Sequence, residues 1–338
     1  MTASAAPTSA ELDARYKGAK ILITGGFGLI GSTLAHRLVG AGAQVRILDS
    51  LDPDSGAHRA NLAGIEDRVE AVIADLRDAG AVKGALADRD ILFNLAAQTS
   101  HLGSMKQPLV DLDVNARAQL ALLESCRAVN PALRIVFAST RQIYGKPDYL
   151  PVDEKHPLRP PDVNGVDKLA GEEFHLLYHR VYGIKTTALR LTNTYGPRMR
   201  IKDAHQTFVG IWLRTVLEGR PFEVWGGEQR RDLTYVEDSA EAFMRAALTP
   251  AAVGEVFNVG GDRPVTLREL AEALIAAHGG GSFVVKEFPA ERKRIDIGDY
   301  WADDRRFRSV TGWRPQVPID IGLKKALEFF STRLATYV

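Results

Sequence analysis

The 338-residue sequence contains a single cysteine, and its 43 basic and 42 acidic residues leave a formal net charge of +1. One cysteine excludes an internal disulfide and any zinc site built from several cysteines. The near-zero charge provides no broad basic surface for binding nucleic acid. No run of 18 apolar residues occurs, so no transmembrane helix is predicted. We therefore expect no metal site, no nucleic-acid partner and no membrane partner.

The amino-terminal segment carries no targeting signal. Residues 1–10 contain neither Lys nor Arg and have no apolar core, unlike a secretory signal peptide. Their Ala, Ser, Thr and Pro content is typical of a disordered segment, and we predict a disordered leader over residues 1–17. Together with the single cysteine, this predicts a cytoplasmic location.

The remaining sequence alternates short apolar runs with helix-length amphipathic segments. Such alternation is typical of βαβ units, which build a doubly wound parallel sheet. The fold class predicted is α/β, a Rossmann-like doubly wound parallel sheet with a smaller interleaved α/β lobe. We assign residues 18–190 and 229–250 to the cofactor-binding domain, and residues 191–228 and 251–338 to the substrate-binding lobe. The predicted strands and helices include residues 20–24, 28–41, 44–48, 69–73, 78–86, 90–95, 108–129, 134–138, 164–182, 186–191 and 256–259.

A glycine-rich loop joins the first predicted strand to the first predicted helix. Gly25, Gly28 and Gly31 have the spacing GxxGxxG, a variant of the dinucleotide-binding fingerprint. Glycines there let the backbone approach a pyrophosphate, and the helix N-terminus offers unpaired N–H groups to it. A plain tight turn is the alternative interpretation. The preceding strand and following helix favour a dinucleotide site.

Asp49 ends the second predicted strand, 18 residues after the last glycine of the loop. A carboxylate at this place accepts from the adenosine ribose 2′-hydroxyl and repels a 2′-phosphate. The position therefore favours NAD over NADP. The alternative is that Asp49 only starts a turn before Ser50.

Further motifs follow along the chain in a characteristic order. They are Asp75-Leu76, residues 94–97 (NLAA), Asn115, residues 139–145 (STRQIYG), residues 168–172 (KLAGE), residues 190–197 (RLTNTYGP), Arg231-Asp232, residues 235–238 (YVED) and residues 312–315 (GWRP). With these motifs the chain resembles extended short-chain dehydrogenases/reductases of the NAD-dependent nucleotide-sugar epimerase/dehydratase group, over about residues 20–327.

The resemblance implies roles for individual residues. Thr140 takes the place of the catalytic Ser/Thr that bonds the reacting sugar hydroxyl, and Lys168 that of the lysine on the nicotinamide ribose. The implied NAD-binding residues are Gly25, Phe27, Gly28, Leu29, Ile30, Gly31, Asp49, Ser50, Asp75, Leu76, Ala96, Ala97, Thr99 and Lys168. The implied substrate-binding residues are Ser104, Asn193, Arg231 and Arg294, with Arg292 as an alternative to Arg294.

Each of these polar residues also has a structural interpretation. Lys168 could be a solvated helix residue paired with Glu172 at i,i+4. Asn193 and Asn115 could be turn or capping residues. Arg231 follows Arg230 and could lie on a solvated surface.

The chain departs from the family at one catalytic position. The family has a tyrosine one helical turn before the lysine, whereas this chain has Asn164, whose amide has no usable proton. We keep Asn164 among the predicted catalytic residues; the structural interpretation is a helix cap. His101, in the loop after the fourth strand, is our preferred replacement for the tyrosine. The alternatives are Tyr144, Tyr195, a relay of Thr140 and water, an Asn introduced to trap a complex, or binding without turnover.

A second departure concerns the reaction. The 4,6-dehydratases of the family carry an Asp-Glu pair directly after the catalytic threonine, where this chain has Arg141 and Gln142. Neither side chain can serve as the acid or base of water elimination, so we predict that the protein is not a hexose 4,6-dehydratase.

The leading prediction is an NAD-dependent epimerase of a nucleoside-diphosphate sugar, acting at C4 through a transient keto-sugar. One alternative is a nucleotide-sugar reductase or dehydrogenase, and another is a catalytically impaired protein that binds NAD and a sugar nucleotide. In the family, helices matching residues 108–129 and 165–182 pair across a two-fold axis, so we also predict a homodimer.

Overall fold

The computed structural model describes residues 7–203, 207–289 and 295–338. Its strands are β1 Lys20–Thr24, β2 Gln44–Asp49, β3 Val69–Ile73, β4 Ile91–Asn94, β5 Arg134–Thr140, β6 Lys185–Leu191, β7 Asn193–Tyr195, β8 Phe222–Trp225, β9 Arg230–Arg231, β10 Leu233–Tyr235, β11 Val256–Val259, β12 Val265–Thr266 and β13 Phe283–Lys286. Its α-helices are α1 Ser9–Ala14, α2 Leu29–Gly40, α3 Ala79–Leu86, α4 His101–Lys106, α5 Pro108–Leu112, α6 Ala118–Val129, α7 Val163–Tyr182, α8 Phe208–Leu217, α9 Val236–Leu248, α10 Leu267–His278, α11 Arg305–Thr311, α12 Ile319–Ser331 and α13 Leu334–Tyr337.

A parallel sheet of seven strands forms the centre of the molecule, in the order β11-β6-β5-β4-β1-β2-β3. The strand order reverses between β1 and β4, which are direct neighbours. Ligands of such sheets bind in the crevice outside the carboxyl ends of the strands at this reversal. The predicted α/β doubly wound fold is confirmed.

The apolar runs of the sequence became strands because helices cover both faces of the sheet. All four residues of β4 are buried, as are four of the five residues of β1. Helices α2 and α9 pack on one face, where Leu34 and Phe243 are fully buried, whereas Leu122 of α6 packs on the other face. A strand buried on both faces tolerates a continuous apolar sequence.

The expected disordered leader is wrong for the part of it that the structure describes. Thr8 and Glu11 form a capping box at the start of α1. Leu12 and Tyr16 are 1% and 0% exposed, and the Tyr16 hydroxyl donates to the Met244 carbonyl oxygen at 2.7 Å. Two apolar anchors after the Ala/Ser-rich start suffice to fix this segment, because their burial offsets the entropy of ordering a short helix.

Residues 108–129, predicted as one helix, are divided by a π-helical turn at Asp113–Arg117 between α5 and α6. Such turns are rare and often lie at functional sites. This one carries Asn115, which contacts the loop after β4.

The smaller lobe has its own core, built around α8, α10 and α12. Trp212 and Phe222 pack there with Leu270, Leu323 and Phe330. Strand β11 lies within the segment assigned to this lobe, yet it pairs with β6 in the central sheet, so that assignment is wrong for β11. The other domain boundaries stay predictions. Within the described ranges, no helix is long and apolar enough to cross a membrane.

Candidate functional site

A cleft of about 470 Å³ lies along the carboxyl ends of the strands. It brings together most of the residues predicted from the sequence. The predicted residues that line it are Gly25, Gly28, Leu29, Ile30, Gly31, Asp49, Ser50, Asp75, Leu76, Ala96, Ala97, Thr99, His101, Thr140, Asn164, Lys168 and Asn193.

The predicted site residues outside this cleft are few. Phe27 is buried in the core and contributes its backbone N–H to Asp49. Ser104 is fully buried, so its predicted contact with substrate is wrong; its hydroxyl donates to the His101 carbonyl and accepts from the Asn164 N–H at 3.2 Å. Arg231 lines a neighbouring cavity. Arg292 and Arg294 lie outside the described residues.

The glycine loop requires glycine at two positions. Gly25 has φ +70°, and a Cβ there would lie 2.9 Å from the Ala96 nitrogen; a Cβ on Gly31 would lie 2.2 Å from the Gly25 carbonyl oxygen. Gly28 precedes α2, and no side chain in the described part of the chain caps this helix end. The first N–H groups of α2 are therefore open to a phosphate in the cleft.

Asp49, at the end of β2, binds two backbone segments through its carboxylate. Its Oδ2 accepts from the Phe27 N–H and its Oδ1 from the Leu51 N–H, both at 2.9 Å, so it does hold a turn as well as the glycine loop. Each oxygen keeps acceptor capacity toward the cleft. Burial raises the pKa of Asp49 above its ordinary value, and the two N–H bonds oppose the shift.

Asp75 also lines the cleft, but its carboxylate is held by Arg77. The Arg77 guanidinium donates to both oxygens at 2.8 Å, and this pairing holds the pKa of Asp75 below its ordinary value. Asp75 and Leu76 both line the cleft, so their backbone and the remaining lone pairs of the Asp75 carboxylate stay available to a ligand.

Lys168 lies one turn after Asn164 on α7 and is 6% exposed. Its Nζ donates to the Ala138 carbonyl oxygen at 2.5 Å and lies 4.5 Å from the centre of the Phe137 ring. Burial lowers the pKa of Lys168 to about 8, with Asp111 and Glu172 opposing the shift. The expected alternative, a solvated pair with Glu172, is wrong, because Glu172 is fully buried and paired with Arg190 at 2.6 Å.

Thr140 ends β5 and lines the cleft near Lys168. Its Oγ1 accepts from the Gln142 N–H at 3.2 Å, which starts a short 3₁₀ turn. A threonine hydroxyl has one proton and two lone pairs, so this contact leaves the proton for another acceptor.

Asn164 is held by a buried polar network and does not cap α7. Asp162 is the N-cap, with its Oδ1 accepting from the Gly165 N–H at 2.7 Å. The Asn164 Nδ2 donates to the Gln98 carbonyl at 2.8 Å and to Asp111 Oδ2 at 3.2 Å. The helix-cap interpretation is therefore wrong. The amide nitrogen is bound to this buried network and fixes the loop after β4.

The network continues behind Asn164. The Asn115 side chain accepts from the Gln98 N–H and donates to the Gln98 carbonyl oxygen. Its Nδ2 also donates to Asp111 Oδ1 at 2.9 Å. Burial and the neighbouring Asp111 carboxyl raise the pKa of Asp167 well above its ordinary value. A neutral Asp167 avoids charge repulsion with the Asp111 carboxylate, so the two acids can lie side by side in the interior.

His101 begins α4, where a loop was predicted, and lines both the cleft and the neighbouring cavity of about 790 Å³. Its Nδ1 lies 3.0 Å from Asp162 Oδ2, whose side chain is fully buried. Burial raises the pKa of Asp162, but contacts with His101, Gly165 and Gln142 outweigh this and hold it below its ordinary value. A carboxylate beside Nδ1 favours the tautomer that carries its proton on Nδ1, which leaves Nε2 as the unprotonated nitrogen.

Five of the described residues line both cavities, and His101 is the one among them with a titratable side chain; the five are Ser100, His101, Gly103, Asn193 and Thr207. The tyrosines considered as replacements lie elsewhere. Tyr144 is fully buried and donates to Asn258 Oδ1 at 2.7 Å, and Tyr195 is 1% exposed and donates to the Ile319 carbonyl at 3.3 Å. Burial raises the pKa of each hydroxyl far above its ordinary value, so neither serves as a base at neutral pH.

Comparison with known proteins agrees with this geometry. The family model described as "NAD dependent epimerase/dehydratase family" matches residues 21–260. The chain belongs to this family. It is 35% identical over 321 residues to UDP-glucose 4-epimerase of Mycolicibacterium smegmatis, covering 93% of this chain and 99% of the relative.

Two solved structures show the same fold. An epimerase from Methanothermobacter thermautotrophicus superposes with a TM-score of 0.90 at 25% identity, over 97% of this chain and 96% of the other. The Thermus thermophilus UDP-glucose 4-epimerase in complex with NAD has a TM-score of 0.80 at 30% identity, over 92% and 98% of the two chains.

The cofactor is NAD, and the residues present fit it. The open N-terminus of α2 suits a pyrophosphate, and Gly25 and Gly31 pack too closely against neighbouring backbone to admit a Cβ, which keeps the loop tight at this point. The Asp49 carboxylate suits a ribose 2′-hydroxyl and opposes a 2′-phosphate. No cluster able to hold a metal ion occurs among the residues that the structure describes.

Sequence reasoning missed three participants in the site. Asp162 lies 61 positions after His101, and nothing in the sequence pairs them. Asp111 is four residues before Asn115 on the π-interrupted helix, where the sequence pattern indicates only an ordinary polar position. In the sequence, Arg141 stands out only because it occupies the position of an acidic residue of the 4,6-dehydratases. Its side chain lines the larger cavity.

Proposed function

We propose that the protein is an NAD-dependent 4-epimerase of a nucleoside-diphosphate sugar, in which His101 takes the place of the family's tyrosine. The observation that carries the proposal is the 3.0 Å approach of His101 Nδ1 to the buried Asp162 carboxylate, where the two cavities meet. A histidine oriented by a carboxylate is a common general base, since the acid fixes the tautomer and stabilises the imidazolium.

NAD, when bound, takes up hydride from the sugar carbinol carbon and returns it. His101 Nε2 would remove the proton of the sugar hydroxyl as the carbinol becomes a ketone, and give it back as the ketone is reduced. The Thr140 hydroxyl would donate a hydrogen bond to the same sugar oxygen, because its contact with the Gln142 N–H does not use the hydroxyl proton. Lys168, whose Nζ is fixed by the Ala138 carbonyl, would bind the cofactor ribose.

Asn164 then has a positioning role. It ties α7 to the Gln98 segment, which precedes His101 by three residues. Where the family has a tyrosine that transfers a proton, this chain has the Asn164 amide. Its fixed contact would support the loop that precedes His101.

The test is incubation of the purified protein, without added NAD, with UDP- and dTDP-hexoses and the corresponding hexuronates, followed by NMR. We expect a C4 isomer, and His101→Gln is expected to lower kcat by about 10² to 10⁴. A stoichiometric requirement for NAD⁺ or NADH would favour the dehydrogenase or reductase alternative. Absence of any isomer, with ligand binding intact, would favour the impaired binding protein.

Asn164→Tyr separates the remaining alternatives. If His101 is the base, tyrosine at 164 breaks the contacts to Gln98 and Asp111 and activity falls. A large gain from no activity would instead indicate an impaired site that lost its tyrosine.

We also propose that the protein is not a hexose 4,6-dehydratase. Gln142 is 4% exposed and donates through Nε2 to Asp162 Oδ2 at 2.7 Å, and Arg141 carries no transferable proton at neutral pH. Detection of a 4-keto-6-deoxy sugar from any nucleotide hexose by NMR contradicts this.

A homodimer is proposed from the exposed apolar residues of α5 and α7. Leu109 is 73% exposed, Val181 59% and Val166 51%, a concentration typical of an interface. Val181→Asp is expected to give a monomer in analytical ultracentrifugation. Val284→Asp, at a similarly exposed apolar position on β13, is the matched control and should stay dimeric.

A further inference from the structure

The larger cavity, of about 790 Å³, lies between the carboxyl edge of the sheet and the smaller lobe. It shares His101 and Asn193 with the NAD cleft, so a sugar at the reaction centre extends into it. Arg141 and Arg231 both line its wall. The inference below rests on the proposed function and concerns which sugar this cavity takes.

The described residues satisfy the hydrogen-bond donors of Arg141 only in part. Its Nε and Nη2 donate to Asn193 Oδ1 at 3.3 and 2.8 Å, and its guanidinium carbon lies 5.4 Å from the centre of the Tyr300 ring. Its Nη1 is buried, and no described residue accepts from it. Within the described ranges, no carboxylate forms an ion pair with this side chain.

Among the residues that the structure describes, the neighbouring carboxylates do not neutralise Arg141. Asp296 is already paired, since its Oδ1 accepts from Arg231 Nη2 at 2.8 Å. The two carboxylate oxygens of Asp232 accept hydrogen bonds from the Gly261 and Ala302 N–H groups. Burial, and after it the charge of Arg231, lowers the pKa of Arg141 to about 10, which leaves the guanidinium charged at neutral pH.

A buried cation without a partner is costly, so a chain that keeps one gains from an anion supplied by the ligand. The position of Arg141 indicates which part of the ligand supplies it. Arg141 directly follows Thr140, at the end of β5, and its bonding partner Asn193 lines both cavities. Arg141 therefore lies at the sugar end of the substrate.

We propose that Arg141 binds an anionic substituent of the sugar itself, and that the substrate is a nucleoside-diphosphate sugar acid with a carboxylate, as in a uronic acid. A planar guanidinium recognises a carboxylate well, because it can place two N–H groups on two oxygens. The other source of the same chemistry is the diphosphate, and the experiment distinguishes the two.

The experiment is calorimetric titration of the NAD-loaded protein with UDP-glucuronate, UDP-glucose and UDP, with the thymidine series in parallel. The wild type is expected to bind the uronate at least about tenfold more tightly than the neutral sugar. Arg141→Gln keeps a donor for Asn193 and is expected to abolish this preference, while Kd for the neutral sugar and for the bare diphosphate changes less than about twofold. Arg141→Lys should retain part of the preference.

Arg220→Gln is the matched control, because Arg220 lines the same cavity but is exposed and paired with Glu218. It should leave the preference for the uronate unchanged. Thermal melting and NAD content verify that each variant is folded.

Two outcomes overturn the inference: a wild type without preference for the uronate, or an Arg141→Gln variant that binds all three ligands of a series equally more weakly. The second result would assign Arg141 to the diphosphate. The NMR assay of isomerisation reads the proposed function separately. An active epimerase without uronate preference overturns only the inference, whereas uronate preference without any isomer overturns only the proposed function.

Discussion

Asp162→Asn tests the proposed base most directly, because it removes a charge and little else. The Asp162 Oδ1 caps α7 through the Gly165 N–H at 2.7 Å, and Asn is as good a cap as Asp. Gln142 can turn its amide to meet the new side chain. What the variant loses is the carboxylate facing His101.

The magnitude follows from the geometry. Opposite charges about 4 Å apart near a protein surface attract by about 4 kcal/mol. The Asp162 side chain is fully buried, but that of His101 is 35% exposed, so solvent screens part of this attraction. We take about 2 to 3 kcal/mol as the support for an imidazolium, which corresponds to a loss of about 30- to 150-fold in kcat.

The assay is steady-state epimerisation followed by NMR, with urea unfolding in parallel. We expect kcat to fall while KM and the free energy of unfolding stay close to those of the wild type. Asp162→Ala also removes the cap and should cost about 1 kcal/mol of stability. In the His101→Gln background, Asp162→Asn should have little further effect, because the two residues act as one unit.

A catalytic role of Asp162 through His101 is excluded if Asp162→Asn keeps more than half of the wild-type kcat with its fold intact. The same role is excluded if the losses in kcat of His101→Gln and Asp162→Asn simply multiply, since independent losses exclude a shared role.

Three further predictions concern buried charges. Glu172→Gln leaves Arg190 without its partner and should lower the free energy of unfolding by about 3 kcal/mol in urea, whereas a change below about 1 kcal/mol contradicts a structural role for this pair. Lys168→Met should raise stability by at most about 3 kcal/mol below pH 8. Because the Lys168 pKa is about 8 in the fold against an ordinary 10.5, the gain shrinks as pH rises from 8 to 10.5, and a gain constant with pH contradicts it. Asp49→Asn keeps an acceptor without the charge and should tighten NADP binding by about tenfold in fluorescence titration, with NAD binding less affected.

The fold was predictable because its signals are local. The runs at Lys20–Thr24 and Val69–Ile73 coincide with the strands residue for residue, since both depend on apolar and β-branched residues bounded by turn residues. Gly25, Gly31 and Asp49 could be placed in one cofactor site because a parallel strand brings its carboxyl end to the same edge as its neighbour's.

Prediction failed where a second element decided the outcome. The composition of the amino-terminal segment predicts disorder, but the Tyr16 hydroxyl donates to the carbonyl oxygen of Met244, which lies 228 positions away. Ser104 looked like a substrate contact, but packing of α4 against α7 turns its hydroxyl to Asn164.

The sequence by itself determined the parallel sheet, the NAD site and the missing tyrosine, because each is written in residues that are neighbours along the chain or in adjacent strand ends. Only the tertiary structure decided how the groups around the tyrosine's position are arranged. It set Asp162 against His101, bound Asn164 to Asp111, and left one nitrogen of Arg141 without a described partner. Hydrogen bonds and charges act over a few ångströms, and only folding brings residues 50 or more positions apart within that range.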